Sequence, residues 1–455
     1  MIRFIYNLFW PIGLLFFLPG YLAKMIRRGG YREKFGQRLG FYDRDLRVRP
    51  SKQRSTWLHA VSVGEVNVAL KLANALRALE PDLRCVLTTT TTTGFTLARK
   101  NAPRWIEVMY TPLDYWPIMR RAFSLIRPVR IILVEAEIWP NLAAEAHARH
   151  IPLALANARL SPRSERRYRR FRFFIAPIFR LLDLVCVPEK EDPERWAALG
   201  VPRDRIHVTG SIKYDPDAFD SRVDTQSTGE AVAASLPSAP KFDEGGWDAW
   251  PRPSSEHPVL FGGSTHRGEE EILATVFLRL RQQFPSLRLF VAPRHVERLR
   301  EIRAQLDALG LRVALASEAR AGRESNDPDC VLLDTTGELQ RWYGIATVVF
   351  MGKSLTAHGG QNPVEPILAG KPVVFGPHME NFATLAKTLV SMNGAIQVHD
   401  VGSLERALAE LLRDSEARQR LVQNAHQVLS AHRGATARAA ALIHKLGSEQ
   451  GKNRL

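Results

Sequence analysis

The sequence predicts an α/β protein made of two doubly wound, Rossmann-like domains that face a cleft and follow an apolar N-terminal helix. Short apolar runs alternate with helix-period patterns through both halves, the mark of parallel βα units. Glycine-bearing turns close several of these runs, at the carboxyl ends where open parallel sheets bind ligands. Between Asp215 and His257 the apolar pattern gives way to Pro, Ser, Gly and Asp, as in a linker or surface insertion. A chain of 455 residues also exceeds what one hydrophobic core organises. The expected layout is a membrane anchor with a basic flank over 1–50, a first domain over 51–213, a linker over 214–257 and a second domain over 258–455.

From Phe4 to Ala23 the chain is mostly apolar and uncharged, close to the length of a bilayer-crossing helix, although Pro11, Gly13 and Pro19 interrupt it and Asn7 is a polar flaw in it. Lys24, Arg27 and Arg28 follow, then Arg32, Lys34, Arg38, Arg44, Arg47 and Arg49. Basic flanks mark the cytoplasmic side, and no small-residue cleavage site is evident, so an uncleaved anchor is expected. An interfacial helix is the competing reading. The net charge of +16 calls for an anionic partner. Nucleic-acid motifs are absent, so no nucleic acid is expected and an anionic membrane surface suits the anchor better. A second basic stretch, Arg163, Arg166, Arg167, Arg169, Arg170 and Arg172, is interleaved with Tyr168, Phe171, Phe173 and Phe174. It reads either as a headgroup contact or as a solvated arginine face. Cys85, Cys186 and Cys330 are odd in number and widely spaced, which fits packed thiols and neither a disulfide framework nor a zinc site.

In the first half, strands are expected at Thr56–Val61, Cys85–Thr89, Arg130–Val134, Ile151–Ala156, Leu184–Val187 and His207–Thr209. Glu65 stands just past Gly64 where the first strand turns into a helix, and Glu135 and Glu137 follow the Arg130–Val134 strand. A hydroxyl is a weak nucleophile, and a carboxylate so placed can serve it as general base. Helix capping is the alternative role for Glu65, and orientation of arginine or backbone groups the alternative for the pair. His59 reads as a strand-packing residue. No histidine pair has ligand spacing on one helix face and no Asp-x-Asp cluster is in place, so metal-independent chemistry without a cofactor is expected.

In the second half, strands are expected at Val259–Gly262, Arg288–Ala292, Val331–Leu333, Thr347–Met351 and Pro372–Phe375, with a helix over Glu269–Phe284. Gly262 to Glu269 offers small residues and a helix N-terminus to a phosphate, making Ser264, Thr265 and His266 donor-binding candidates. Arg294 is placed to fork onto phosphate or stack on a base. Gly352 and Lys353, then Asn362 and Glu365 within Gly359–Pro366, read as strand, glycine-rich loop and helix start. Glu365 in that first turn can accept hydrogen bonds from ribose hydroxyls or complement the helix dipole.

These motifs in this order resemble the bacterial 3-deoxy-D-manno-octulosonic acid (Kdo) transferases, which have the GT-B fold. The resemblance is carried by Trp57 to Glu65, Thr88 to Gly94, Tyr110 to Asp114, Glu135 to Asn141, Asn157 to Ser161, Gly210 to Asp215, Gly263 to His266, Pro293 to His295 and Gly360 to Pro366. It implies CMP-Kdo as donor and a phosphorylated lipid A precursor as acceptor, with inversion and no bound metal, at the cytoplasmic face of the inner membrane. It implies Glu65 as general base, Glu135 or Glu137 as a second essential carboxylate, and the second-domain motifs as the CMP site. Arg159, Arg163 and Arg166 are the expected acceptor-binding cations. Ala136 stands where the pattern has threonine, and 216–257 looks longer than a minimal link. A UDP-sugar transferase, a sugar-nucleotide epimerase and a non-catalytic lipid-binding scaffold are the alternatives.

Overall fold

The computed structural model describes residues 3–10, 13, 16, 20, 34–42, 55–135, 137–216, 257–320, 328–335 and 339–452. The chain divides into two compact units, Met1–Val223 with His432–Leu455, and Asp224–Ala431.

The first unit is built on β1 (Ser55–Ala60), β2 (Cys85–Thr89), β3 (Ile106–Tyr110), β4 (Pro128–Val134), β5 (Leu153–Ala156), β6 (Leu184–Val187) and β7 (Ile206–Val208). They form one parallel sheet in the order β3-β2-β1-β4-β5-β6-β7. Alternate residues of each strand enter opposite cores, so both faces need cover. Trp57, Ile131 and Leu133 pack with the helices Trp116–Ile126 and Pro140–Ala148. Leu58, Ile132 and Val134 pack with the helix Val63–Leu79 and with Ala439, Ala440 and Ile443 of the helix Ala435–Lys452. That terminal helix, expected within 258–455, thus belongs to the first unit. Asp215 starts it by accepting N–H bonds from Gly434 at 3.0 Å and Thr436 at 2.7 Å. Farther along, His444 meets Glu80 at 2.6 Å, and Glu80 also receives both terminal nitrogens of Arg130 at 2.8 Å.

The second unit holds β8 (Val259–Thr265), β9 (Arg288–Pro293), β10 (Val313–Leu315), β11 (Cys330–Leu332), β12 (Val348–Met351), β13 (Val373–Phe375) and β14 (Ile396–Gln397). These form a parallel sheet in the order β10-β11-β9-β8-β12-β13-β14. Leu260, Val291, Phe350 and Val374 meet the helices Glu269–Arg281 and Val401–Arg413 in its core. The strands that the apolar pattern did not predict, β3, β10 and β14, are all edge strands. β10 and β14 are only three and two residues long and Glu107 interrupts β3, so each gives a weak strand signal.

The anchor expected from Phe4 to Ala23 lies in part outside the described residues, which include 4–10, 13, 16 and 20 of it. Residues 3–10 are helical, but among the described residues no helix is long and apolar enough to cross a membrane. The polar side of this turn is docked on the first unit: Arg3 Nε donates to Asn141 Oδ1 at 3.1 Å and Arg3 pairs with Glu145 at 3.2 Å. Asn7 donates to Asn141 at 2.8 Å and accepts from Trp116 N at 3.2 Å, while Phe4, Leu8 and Phe9 are exposed. Arg38, counted above in the basic flank, is buried; it donates to Thr90 O at 2.6 Å and lies 4.3 Å over the Tyr110 ring. The rest of that basic flank, apart from Lys34, and residues 217–256 of the expected linker lie outside the described residues.

Since Ile443 is fully buried against the first sheet, Ile443→Ala should destabilise that unit by about 2–5 kcal/mol. Hydrogen exchange should then accelerate in Val63–Leu79 and leave β8–β14 unchanged; loss of protection in β8–β14 instead would contradict the assignment of the terminal helix.

Candidate active site

Strand order reverses in each sheet, between β1 and β4 in the first and between β8 and β12 in the second. The crevice beyond such a reversal is where doubly wound sheets hold ligands, because neighbouring turns depart in opposite directions. Both reversals carry the residues singled out from the sequence.

At the first, β1 runs out at Ala60 and Ser62 caps the helix Val63–Leu79, its hydroxyl accepting from Glu65 N at 3.4 Å. The Glu65 carboxylate folds back to accept Val61 N–H at 2.8 Å and the Ser62 hydroxyl at 2.9 Å. The capping role foreseen as the alternative is therefore real, and it fixes the side chain in place. Burial pushes the Glu65 carboxyl up to about 7; the Val61 N–H opposes the shift, and the charge of Glu135 adds to it. Glu135 follows β4 with φ +68, a left-handed conformation costing a non-glycine residue about 1–2 kcal/mol, held by its N–H bond to Ala156 O at 3.0 Å. Glu137 has a buried Oε2 with no hydrogen-bond partner among the described residues, and burial raises its pKa. Ala136 between them lies outside the described residues.

Cations complete this cluster. Asn157, at φ +53, accepts from Ile212 N at 3.0 Å and from the Ser211 hydroxyl at 3.3 Å, joining the turn that carries Arg159 to the turn that carries Lys213. Arg159 lies 5.6 Å over the Tyr214 ring. Burial holds Lys213 below the usual lysine range, with Glu135 opposing that shift. The sequence reading gives Lys213 no role of its own; its signal there is the one lysine in Gly210–Asp215. Arg163 and Arg166 instead stand exposed on the helix Pro162–Arg170. His59 is a packing residue as expected: it is buried, takes Trp139 Nε1–H at 3.3 Å, meets Thr88 Oγ1 at 3.1 Å, and burial lowers its pKa to about 4.

At the second reversal the centre is Glu269, which the sequence reading passed over as the end of the Gly262–Glu269 stretch. Fully buried, its carboxylate accepts four backbone N–H groups: His266 at 2.8 Å, Lys353 at 2.7 Å, Ser354 at 2.9 Å and Leu355 at 3.0 Å. The turn after β8 and the loop after β12 are thereby locked together. They approach so closely that a side chain at Gly352 would overlap the Ser264 carbonyl and Thr265 Cα. Ser264 and Lys353 adopt φ +52 and φ +56 in this junction. Thr265 is buried and spends its hydroxyl on Glu270 at 3.0 Å, which Arg298 meets at 3.0 Å. What Thr265 offers is therefore turn geometry.

Around that frame, the His266 and His295 rings lie edge to face at 5.4 Å, and burial followed by Lys353 lowers the His266 pKa. Arg294 is exposed directly after β9, with its N–H bonded to Thr265 O at 3.0 Å. Asn362 Oδ1 accepts Val364 N–H at 3.2 Å and so begins the helix Val364–Leu368, which carries Glu365 half-buried in its first turn. The second unit thus gathers imidazole, ammonium and guanidinium groups beside a helix start, suited to a phosphate, and the first unit gathers carboxylates suited to proton transfer.

A family model described as 3-deoxy-D-manno-octulosonic-acid transferase (kdotransferase) matches residues 33–216. The chain is 32% identical over 417 residues to the 3-deoxy-D-manno-octulosonic acid transferase of Haemophilus influenzae, covering 91% of each. It is also 32% identical to the transferase of the same name from Bordetella pertussis, covering 84% of this chain and 85% of that one. Among solved structures, the UDP-GlcNAc 2-epimerase of Neisseria meningitidis superposes with a TM-score of 0.54 at 12% identity, over 86% of this chain and 99% of that one. At that identity it shows the two-domain fold alone.

Glu269→Gln replaces one carboxylate oxygen with an NH2 group that faces backbone donors. It should lower the stability of the second unit by about 3 kcal/mol in denaturant titration. A loss below about 0.5 kcal/mol would mean that the four N–H bonds are not the lock described.

Proposed function

The chain belongs to the Kdo transferase family and is a glycosyltransferase of the GT-B type that transfers Kdo in lipopolysaccharide biosynthesis; on that premise we propose that it moves Kdo from CMP-Kdo to a phosphorylated lipid A precursor, lipid IVA, with inversion, and that Glu65 is the general base. The observation that carries this reading is the Glu65 carboxylate, buried at the reversal of the first sheet and raised to about 7. A base with a pKa near the working pH combines an ionised population with real proton affinity.

In the proposed reaction an acceptor hydroxyl gives its proton to Glu65 while its oxygen bonds to the anomeric carbon of Kdo from the face opposite CMP. The bond from that carbon to the CMP phosphate breaks, and its electron pair leaves with the phosphate. His266, Lys353, Arg294 and Ser264 of the turn at the end of β8 meet the phosphate charge, so no metal is called on there. Gly352 permits the close approach of that turn, and Thr265 positions it. Asn362 sets the helix start from which Glu365 takes the ribose hydroxyls. Arg159, with Lys213 beside Glu135, holds an anionic group of the substrate; Arg163 and Arg166 serve the acceptor's phosphates farther out. Glu135 orients these cations, and the buried Glu137 oxygen accepts from a substrate hydroxyl. We further propose that the enzyme works at the cytoplasmic face of the inner membrane, where the exposed aromatic and arginine side chains of 163–174 meet anionic headgroups.

Glu65→Gln keeps an oxygen for Val61 N–H and so preserves the helix start, but it cannot take a proton. It should reduce Kdo transfer to lipid IVA by about 10²–10⁴-fold, read as CMP release and product mass, with CMP binding retained. Full activity in that variant, or release of UDP from a UDP-sugar, would remove the reading. Because only ionised Glu65 accepts a proton, kcat/KM should rise with pH through about 7 and level off above it. An acid limb centred near the ordinary glutamate pKa would separate Glu65 from the base.

A further inference from the structure

The loop after β12 and the loop after β13 bring together three side chains that the transfer reaction does not use. His358 Nδ1 lies 3.0 Å from Glu380 Oε1, and His378 Nδ1 lies 3.4 Å from the same oxygen. The two imidazole centroids are 3.8 Å apart, and one ligand atom from each of the three residues falls within 4.8 Å of the other two. The other Glu380 oxygen accepts Gly359 N–H at 2.6 Å, and Asn381 N–H returns to Gly359 O at 2.9 Å, so the carboxylate is oriented from behind.

We propose that His358, His378 and Glu380 form a binding site for a borderline divalent cation of the Zn2+ class that fastens these two loops to each other. Two ligands about 2.0–2.1 Å from a tetrahedral zinc stand about 3.3 Å apart, so the nitrogen-to-oxygen spacings already match a shared metal. Two imidazoles and a carboxylate favour zinc and its transition-metal neighbours over Mg2+ or Ca2+, which take oxygen ligands. A carboxylate held by a backbone N–H on its far oxygen is the usual outer support of a metal ligand. The site is exposed at His358, which leaves a fourth position for water. His358 and Glu380 are 22 residues apart with β13 between them, which is why no local motif announced the site. The loop concerned begins at Gly352 and Lys353, so the cation would stiffen the segment that carries them. It takes no part in the leaving-group chemistry, and its binding does not depend on which donor or acceptor the enzyme uses.

The test is calorimetric titration of the metal-free full-length protein with Zn2+, paralleled by Co2+, whose visible absorption reports four-coordinate geometry. One equivalent should bind and give the tetrahedral Co2+ band. His358→Ala and Glu380→Gln should each weaken binding at least about tenfold and abolish the band. His358 is exposed, and the Glu380→Gln side chain keeps an oxygen for Gly359 N–H, so both variants should fold, which circular dichroism checks. The chain has 13 histidines, so equal affinity in wild type and both variants would assign the cation to other residues and overturn the proposal. Failure of both cations to bind the wild type would overturn it as well.

Discussion

A parallel strand that ends in a turn leaves backbone N–H groups without a strand partner, and here a single buried carboxylate collects four of them. Glu269 draws in the N–H groups of His266, Lys353, Ser354 and Leu355 from two separate loops. The unpaired alternative is costly, because each buried donor left without an acceptor forfeits about 1–3 kcal/mol. The glycine at 352 is required by the resulting closeness of the loops, and the positive φ values of Ser264 and Lys353 are absorbed in the same junction. Asp114 does related work in the first unit by accepting Asn141 N–H and Leu142 N–H, both at 2.9 Å, and Asp215 does so for the terminal helix.

Glu65 occupies the corresponding turn of the other sheet with fewer donors around it. It receives one backbone N–H and one hydroxyl, against four N–H groups for Glu269. Glu135 and Glu137 add like charge to it. Fewer donors in a buried setting leave the carboxylate under-stabilised, which raises its proton affinity. Capping and catalysis, which look like competing explanations when Glu65 is read in sequence, are compatible in space. The cap holds the side chain, and the shortage of donors tunes it.

Much of the first unit's candidate site was legible because its residues sit at strand ends that apolar runs expose. Glu65, Glu135 and Glu137 could be placed from β1 and β4 alone. Elsewhere legibility failed. Strands β10 and β14 are too short to signal and β3 is interrupted by Glu107, and the terminal helix gave no sign that it crosses back to the first sheet. Thr265 and Arg38 looked like ligand-facing or surface groups, whereas one spends its hydroxyl on Glu270 and the other lies buried over Tyr110. Asn7 reads as a flaw in an apolar segment, and in the fold it is a bonded contact to Asn141.

The sequence by itself determined the two parallel sheets, the strand-end positions of the carboxylates and cations, and the family, since periodicity and motif order are local properties of the chain. Only the tertiary structure decided which polar groups saturate one another and which keep unused capacity. It was the fold that consumed Glu269 in backbone bonds, buried a Glu137 oxygen that has no partner among the described residues, and set His358 beside His378. Hydrogen-bond satisfaction and desolvation depend on neighbours brought together from distant parts of the chain, and no local pattern encodes them.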